Sequence, residues 1–236
     1  MKKLNRKVTS ITNLLLVAIF VAVSAFMFIP ENILPISGEN SISAIYNGDR
    51  QKRRVSLMFN VYENTGIVND IIDVLNENGA KATFFVGGCW ADDNQKTLIR
   101  IVGEGHEIAN HGYFHKDHKK LTEEQNEQEI SLTGQVVEAL CGVKPTLFAP
   151  PSGSFSDLTL EAASRLGYKV IMWSKDTIDW RDSDKTLVFK RATNGIENGD
   201  LVLMHPKKVT LEALPDIITN YKSLGFELVT VSENIS

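Results

Sequence analysis

The chain has 236 residues, 43% of them apolar, with 16 Gly, 7 Pro and 2 Cys. That length suits one domain with a sizeable core, and the composition excludes collagen, low-complexity disorder and a disulfide-built miniprotein. Lys2, Lys3, Arg6 and Lys7 all precede the first acidic residue, Glu31, so taking those four from the 25 basic residues leaves 21 against 29 acidic, a net of −8 after residue 30. An acidic body repels phosphate backbones, which excludes nucleic acid as the expected partner.

Residues 1–7 form a basic N-terminus, and the 23 residues from Val8 to Pro30 carry no charge. At about 1.5 Å per residue this stretch matches the core of a bilayer, so 8–30 is expected to be a membrane helix. The basic residues before it place the N-terminus in the cytoplasm and the rest of the chain outside, as a single-pass membrane protein. A signal peptide cut after Val23-Ser24-Ala25 is the alternative and would give a secreted body. The anchor is preferred because the apolar run continues from Phe26 to Ile29. Residues 31–53, with Pro35, Gly38, Asn40, Gly48 and the basic group Arg50 to Arg54, read as a tether before a folded domain at 54–236.

Within that domain, strands are expected at Val55–Asn60, Ala82–Val86, His106–Asn110, Thr146–Ala149, Lys169–Trp173, Leu201–His205 and Glu227–Val231. Helices are expected at Gly66–Glu77, Asn94–Gly103, Thr122–Leu140, Asp157–Leu166, Asp184–Asn194 and Thr210–Leu224. Thr122 opens a Thr-x-x-Gln capping box, and Gly79, Gly142, Gly167 and Gly225 stand where helices should stop. Alternation of apolar strands with helices means an α/β fold in which helices cover parallel strands. An open doubly wound sheet and an incomplete barrel fit this order equally, and both put chemistry at the carboxyl ends of strands. No Gly-x-Gly-x-x-Gly follows the first strand, so no nucleotide cofactor is expected. Gly-x-Ser-x-Gly is also missing, which counts against a serine hydrolase. Cys89 and Cys141 fit no zinc or redox spacing and read as two inert thiols, or as one disulfide if the body is exported.

The strand-end rule gathers Asn60, Gly87, His111, Pro150, Asp176 and His205 into one cleft. His111 and His115, four positions apart directly after a strand, can converge on one metal ion, although alone they read equally as surface histidines. Asp176 and Asp179-Trp180 follow the next motif-bearing strand and by themselves also describe an Asx turn with a packing tryptophan. His205 ends Leu201-Val202-Leu203-Met204, where a lone histidine is ordinarily a satisfied core residue.

In the order His-x-x-x-His, Pro-Pro-x-Gly, Asp-x-x-Asp-Trp, Leu-x-Leu-x-His, together with Lys81-Ala82-Thr83-Phe84-Phe85-Val86 and Gly105-His106-Glu107-Ile108-Ala109-Asn110-His111, residues 54 to 232 resemble the polysaccharide deacetylases, the family 4 carbohydrate esterases. The resemblance implies a seven-stranded, distorted and incomplete (β/α) barrel that removes N-acetyl groups from cell-wall polysaccharide, peptidoglycan or a chitin-like glycan. It also implies a divalent metal ion, zinc before cobalt, nickel or manganese, held by His111 and His115. His205 would be the general acid with its ring held by Asp179. Trp180 and Leu203 would wall the acetyl pocket, Tyr113 would face sugar, and Pro150 and Pro151 would shape the groove floor.

The first motif departs from the family. Thr-Phe-Asp-Asp-Gly is replaced by Met58-Phe59-Asn60-Val61-Tyr62, so Asn60 stands where the general base belongs and Val61 where the metal carboxylate belongs, while Ala149 replaces the arginine that pairs with the base. An arginine facing a neutral amide would be a partly buried cation without a counter-ion, so these losses are coherent. Similar degeneracy marks a sporulation-associated branch, which Ala149-Pro150-Pro151-Ser152-Gly153-Ser154 also resembles. Two expectations follow. One is an enzyme with a modified site, in which Glu63, or else Asp117 or His118, supplies the missing group. The other is a glycan-binding protein, without activity or metal, in which Tyr113, Phe114 and Trp180 stack sugar faces.

Overall fold

A computed structural model describes residues 42–236; the expected membrane segment at 8–30 and residues 31–41 of the expected tether lie outside the described residues. Among the described residues no helix is long and apolar enough to cross a membrane.

Strand β1 (Arg54–Val61) is buried from Val55 to its end, as a parallel strand covered on both faces must be. Alternation sorts its side chains. Val55, Leu57, Phe59 and Val61 pack outward with Ile71 and Leu75 of helix α1 (Thr65–Glu77). Met58 points into an inner cluster with Phe85, Ile171 and Leu203, and Asn60 shares its face.

β2 (Ala82–Val86), β3 (Glu107–Asn110), β4 (Leu147–Phe148) and β5 (Lys169–Val170) extend the sheet on one side. β7 (Asp200–Met204) and β6 (Lys175–Asp176) extend it on the other, giving the order β5-β4-β3-β2-β1-β7-β6. β8 (Glu227–Leu228) pairs with the start of β1, and every pairing is parallel. The outermost strands β5 and β6 are joined by only residues 171–174. Six strand spacings in a flat sheet would separate them by roughly 29 Å, whereas the connector reaches at most about 18 Å. The sheet therefore curls, and the connector bonds to both sides: the Ile171 amide donates to the Phe148 carbonyl and the Ser174 amide to the Leu201 carbonyl. The result is the incomplete barrel, with β6 as a short strand that its two residues had not announced.

Helices α2 (Gly88–Asp93), α3 (Gln95–Gly103), α4 (Glu123–Cys141), α5 (Asp157–Arg165), α6 (Lys185–Thr193) and α7 (Lys208–Ser223) follow their strands, and α8 (Val231–Asn234) closes the chain. Thr122 and Gln125 form the capping box at α4. α2 was hidden by its opening Gly-Gly pair. The strand expected to reach Val231 stops at Leu228, because the Thr230 side chain accepts from the Glu233 amide and caps α8 instead.

Residues 42–53 correct the reading of a tether over 31–53. Ile45 bridges Ile171, Asn47 bridges Asp200, and the Gly48 amide donates to the Gly199 carbonyl. The folded unit begins at Ile42. Arg50, one of the supposed tether cations, donates to Asp200 Oδ1 at 2.9 Å and to the Asn198 carbonyl at 2.7 Å. Asp200 is buried and also accepts from Ser174 Oγ and the Glu197 amide. Lys175 Nζ stands 3.9 Å from the other oxygen, so Arg50 is the nearer of two cations on a buried carboxylate, and losing it weakens the compensation of that charge. Arg50→Ala should lower stability by about 1–2 kcal/mol in urea unfolding, discounted for the half-exposed guanidinium.

Candidate active site

The carboxyl ends of β1, β6 and β7 and the loop after β3 open into one cleft of about 560 Å³. Asn60, Glu63, His111, His115, Leu203 and His205 line it, and Trp180 stands half exposed at its edge. Asp179 is buried behind His205. Its Oδ1 accepts from His205 Nδ1 at 2.8 Å, while Oδ2 accepts from the His205 amide at 2.7 Å and from Thr210 Oγ1 at 2.5 Å. With Nδ1–H committed to the carboxylate, His205 presents Nε2 to the cleft.

Three expected substrate contacts lie outside the lining. Tyr113 turns toward α2, its ring packed where a Cβ on Gly88 would come within 2.2 Å, and edge-on to Phe114. Pro150 and Pro151 lead into a short turn, Pro151–Gly153, in which Pro151 is buried, so Ser152, held at φ 55°, faces the cleft in their place. Sequence reasoning missed Tyr62 and Lys207. Each stands two positions beyond a strand-end residue, Asn60 and His205, and that spacing is the signal that finds them. Tyr62 rests on Gly87, where any Cβ would come within 2.1 Å of its ring, and its hydroxyl donates to the Tyr113 carbonyl. Burial, reinforced by Cys89 beside it, pushes the Tyr62 phenol above its ordinary range.

The imidazole pair is built by a short loop. His111 Nδ1 donates to the Ala149 carbonyl at 2.7 Å, which fixes the tautomer and leaves the Nε2 lone pair free. The His115 ring lies 5.2 Å from it, centroid to centroid, on a backbone held at φ 54°. Gly112, at φ 73°, supplies the turn, since a Cβ there would meet His118 Nε2 at 3.0 Å.

The residues present do not make the three-ligand site that the family resemblance implies for a divalent ion. Val61 is fully buried in the outer core. Asn60 offers an amide. Glu63 is tied to Lys207 across the rim of the cleft. Asp117 bonds Ser154 Oγ and Lys120. His118, offered as a source of the missing group, is buried, with Nδ1 donating to Asn126 Oδ1 at 2.7 Å. Among the described residues, no group of three His, Cys, Asp or Glu side chains comes together for a metal.

Burial also sets the charge of the imidazoles. It pushes His111 down to about 3, with the neighbouring His115 adding to the effect, and pushes His106, under β2, down to about 4. Both rings are therefore neutral when folded, while the unfolded chain takes up protons near the ordinary 6.5. Their contribution is fully present above that pH and is lost as pH falls toward 4 and 3. Thermal midpoints should decline through this window, and His106→Phe should make the acid limb shallower.

A carboxylate outside the cleft holds the loop. Glu129 of α4 is buried, and its Oε2 accepts the amides of Tyr113 at 2.9 Å and Phe114 at 2.7 Å, while Oε1 pairs with Lys116 Nζ at 2.9 Å. Hydrogen bonds to a charged group are worth about 1.5–3 kcal/mol. Glu129→Ala should therefore speed hydrogen exchange at the Tyr113 and Phe114 amides by at least about tenfold, since tenfold corresponds to roughly 1.4 kcal/mol.

Residues 47–171 match the family described as polysaccharide deacetylase. The chain is 37% identical over 189 residues to the uncharacterized protein YlxY of Bacillus subtilis, covering 80% of this chain and 59% of that one. It is 32% identical to the peptidoglycan-N-acetylmuramic acid deacetylase PdaC of the same organism, covering 78% of this chain and 39% of that one. The chain thus spans little more than half of YlxY and well under half of PdaC. Among solved structures, BA3943 of Bacillus anthracis, described as a CE4 family pseudoenzyme, superposes with a TM-score of 0.80 at 34% identity over 83% of this chain and 70% of that one. A mutant of that protein is described as having restored enzymatic activity. By the extent of the family match and by these relatives, the chain belongs to the polysaccharide deacetylase family.

Proposed function

We propose that this protein binds N-acetylated amino-sugar polymer of the cell wall, peptidoglycan or a chitin-like glycan, in its cleft without hydrolysing it. The observation that carries the reading is the end of β1, where an amide and a core-packed valine occupy the two positions that would supply a base and a metal carboxylate. Deacetylation needs a group to take a proton from water, and a neutral amide does not take one near neutral pH. The peptidoglycan deacetylase PdaC and the pseudoenzyme BA3943 among the relatives support both the glycan and the loss of turnover. The uncharged stretch at 8–30 would hold the domain at the outer face of the membrane, beside the wall.

A second reading is a metal-dependent deacetylase with a modified site, favoured by the intact His205, Asp179 and Thr210 network. In it His205 would protonate the departing amine, and Glu63 would act as base after leaving Lys207. One experiment separates the two. The full-length protein is incubated with N-acetylglucosamine oligomers or peptidoglycan, with zinc or cobalt added, and acetate release and glycan retention are both measured. Glycan should be retained with acetate release no greater than that of His111→Ala. Acetate release that vanishes in both His111→Ala and Glu63→Gln would establish the second reading.

A further inference from the structure

A groove of about 400 Å³ lies between β6 and α6 and adjoins the cleft, since Asp176 belongs to both linings. Its cations set it apart on an acidic body. Lys175 Nζ reaches the groove from β6 and donates to the Asn194 carbonyl at 2.9 Å, while Lys190 and Arg191 stand in the last turn of α6. A helix end carries only about half a negative charge, so three cations gathered there leave positive potential over. The carboxylates nearby do not absorb it. Asp200, 3.9 Å from Lys175, already holds Arg50. Asp182 is shared between Arg191 at 2.7 Å and Arg181 at 2.9 Å. On α6 itself Lys185 pairs with Asp216, whereas Lys190 is exposed and pairs with no carboxylate among the described residues.

One turn serves both places. Ile178 is held at φ 53°, a left-handed conformation rare for a β-branched residue. Its amide donates to Asp176 Oδ1 at 2.8 Å, and its carbonyl accepts from the Arg181 and Asp182 amides. The turn sends Ile178 into the groove and Asp179 to the His205 ring of the cleft. Resting on the glycan-binding reading above, we infer that the groove is a second binding site, which takes an acidic peptide carried by the glycan chain lying in the cleft. The polymer is then peptidoglycan, and an unsubstituted chitin-like glycan leaves the groove unused. A peptide suits this lining in three ways. Its carboxylates meet Lys175, Lys190 and Arg191, an amine meets the second oxygen of Asp176, which holds no hydrogen bond among the described residues, and its side chains lie on Ile178 and the 40% exposed Leu187. A phosphate polymer of the wall would satisfy the cations alone, with nothing for Leu187 and only repulsion for Asp176. Two modest contacts joined on one ligand raise affinity beyond either alone.

The test uses the full chain, with binding measured by calorimetry at neutral pH and low salt. The ligands are a peptidoglycan tetrasaccharide carrying its acidic peptides and the same tetrasaccharide after an amidase has removed them. The peptide-bearing fragment should bind at least about fivefold more tightly, and the preference should fade as salt is raised to about 0.5 M. Lys190→Glu should bring the two fragments level, and Lys190→Gln should reduce the preference partway. Lys185→Glu, the same reversal more than a turn away on α6 and outside the groove, should keep it. Equal affinity of the native chain for both fragments, or a preference that Lys185→Glu cancels as fully as Lys190→Glu, overturns the groove while leaving glycan binding intact. Lys190-dependent binding of poly(glycerol phosphate) that is tighter than that of the peptide-bearing fragment assigns the groove to phosphate and also overturns the inference. Failure of the native chain to bind either fragment overturns the glycan-binding reading itself, and the groove with it.

Discussion

The connector of residues 171–174 is the constraint on which the rest of the structure depends. Because it joins the two outermost strands of the path, the sheet must roll until its edges approach, and rolling aims the carboxyl ends of β1, β6 and β7 at a common point. Residues far apart in sequence, Asn60, His111 and His205, become neighbours in one lining for that reason. The segment around Ile45 and Asn47 packs onto the same seam, reaching Ile171 and Asp200. The N-terminal part of the described chain is thus a piece of the barrel.

Strand parity then decides what the first motif can do. Asn60 follows Met58 into the interior, and Val61 follows Phe59 outward among helix-facing apolar residues. The two positions lie next to each other in sequence and belong to different environments. One holds an uncompensated amide at the cleft, and the other contributes packing. The imidazole pair beside them remains well formed, with His111 oriented by the Ala149 carbonyl and the loop held by Glu129. A well-ordered pair of rings is a different thing from a complete coordination shell.

Much of this was legible in the sequence. Apolar runs of strand length separated by helix-period stretches marked the parallel α/β architecture, and the Thr122 to Gln125 spacing marked a cap that the structure contains. The strand-end rule brought Asn60, His111, Asp176 and His205 into one lining. It failed for Gly87, which the Tyr62 ring covers, and for Pro150, because a proline at the head of a tight turn passes the exposed position on to Ser152. The tether reading failed at 42–53 because flexible-looking composition says nothing about backbone pairing, and the segment gains order from bridges to Ile171 and Asp200. His118, offered as a source of the missing group, is buried among charged neighbours. A polar run can bury one member when Asn126 and the Phe148 ring lie beneath it. Lys207 carried no motif beyond standing two positions past His205, and in the cleft it pairs with Glu63.

Asp179 engages three donors that belong to two different segments, the amide and ring of His205 at the end of β7 and the hydroxyl of Thr210 in α7. It is therefore a strut that fastens one layer of the fold to another, whatever the ring above it does. Such a joint has mechanical grounds to persist with or without turnover. The pairing of Asp179 with His205 accordingly serves the architecture as well as any chemistry at the ring.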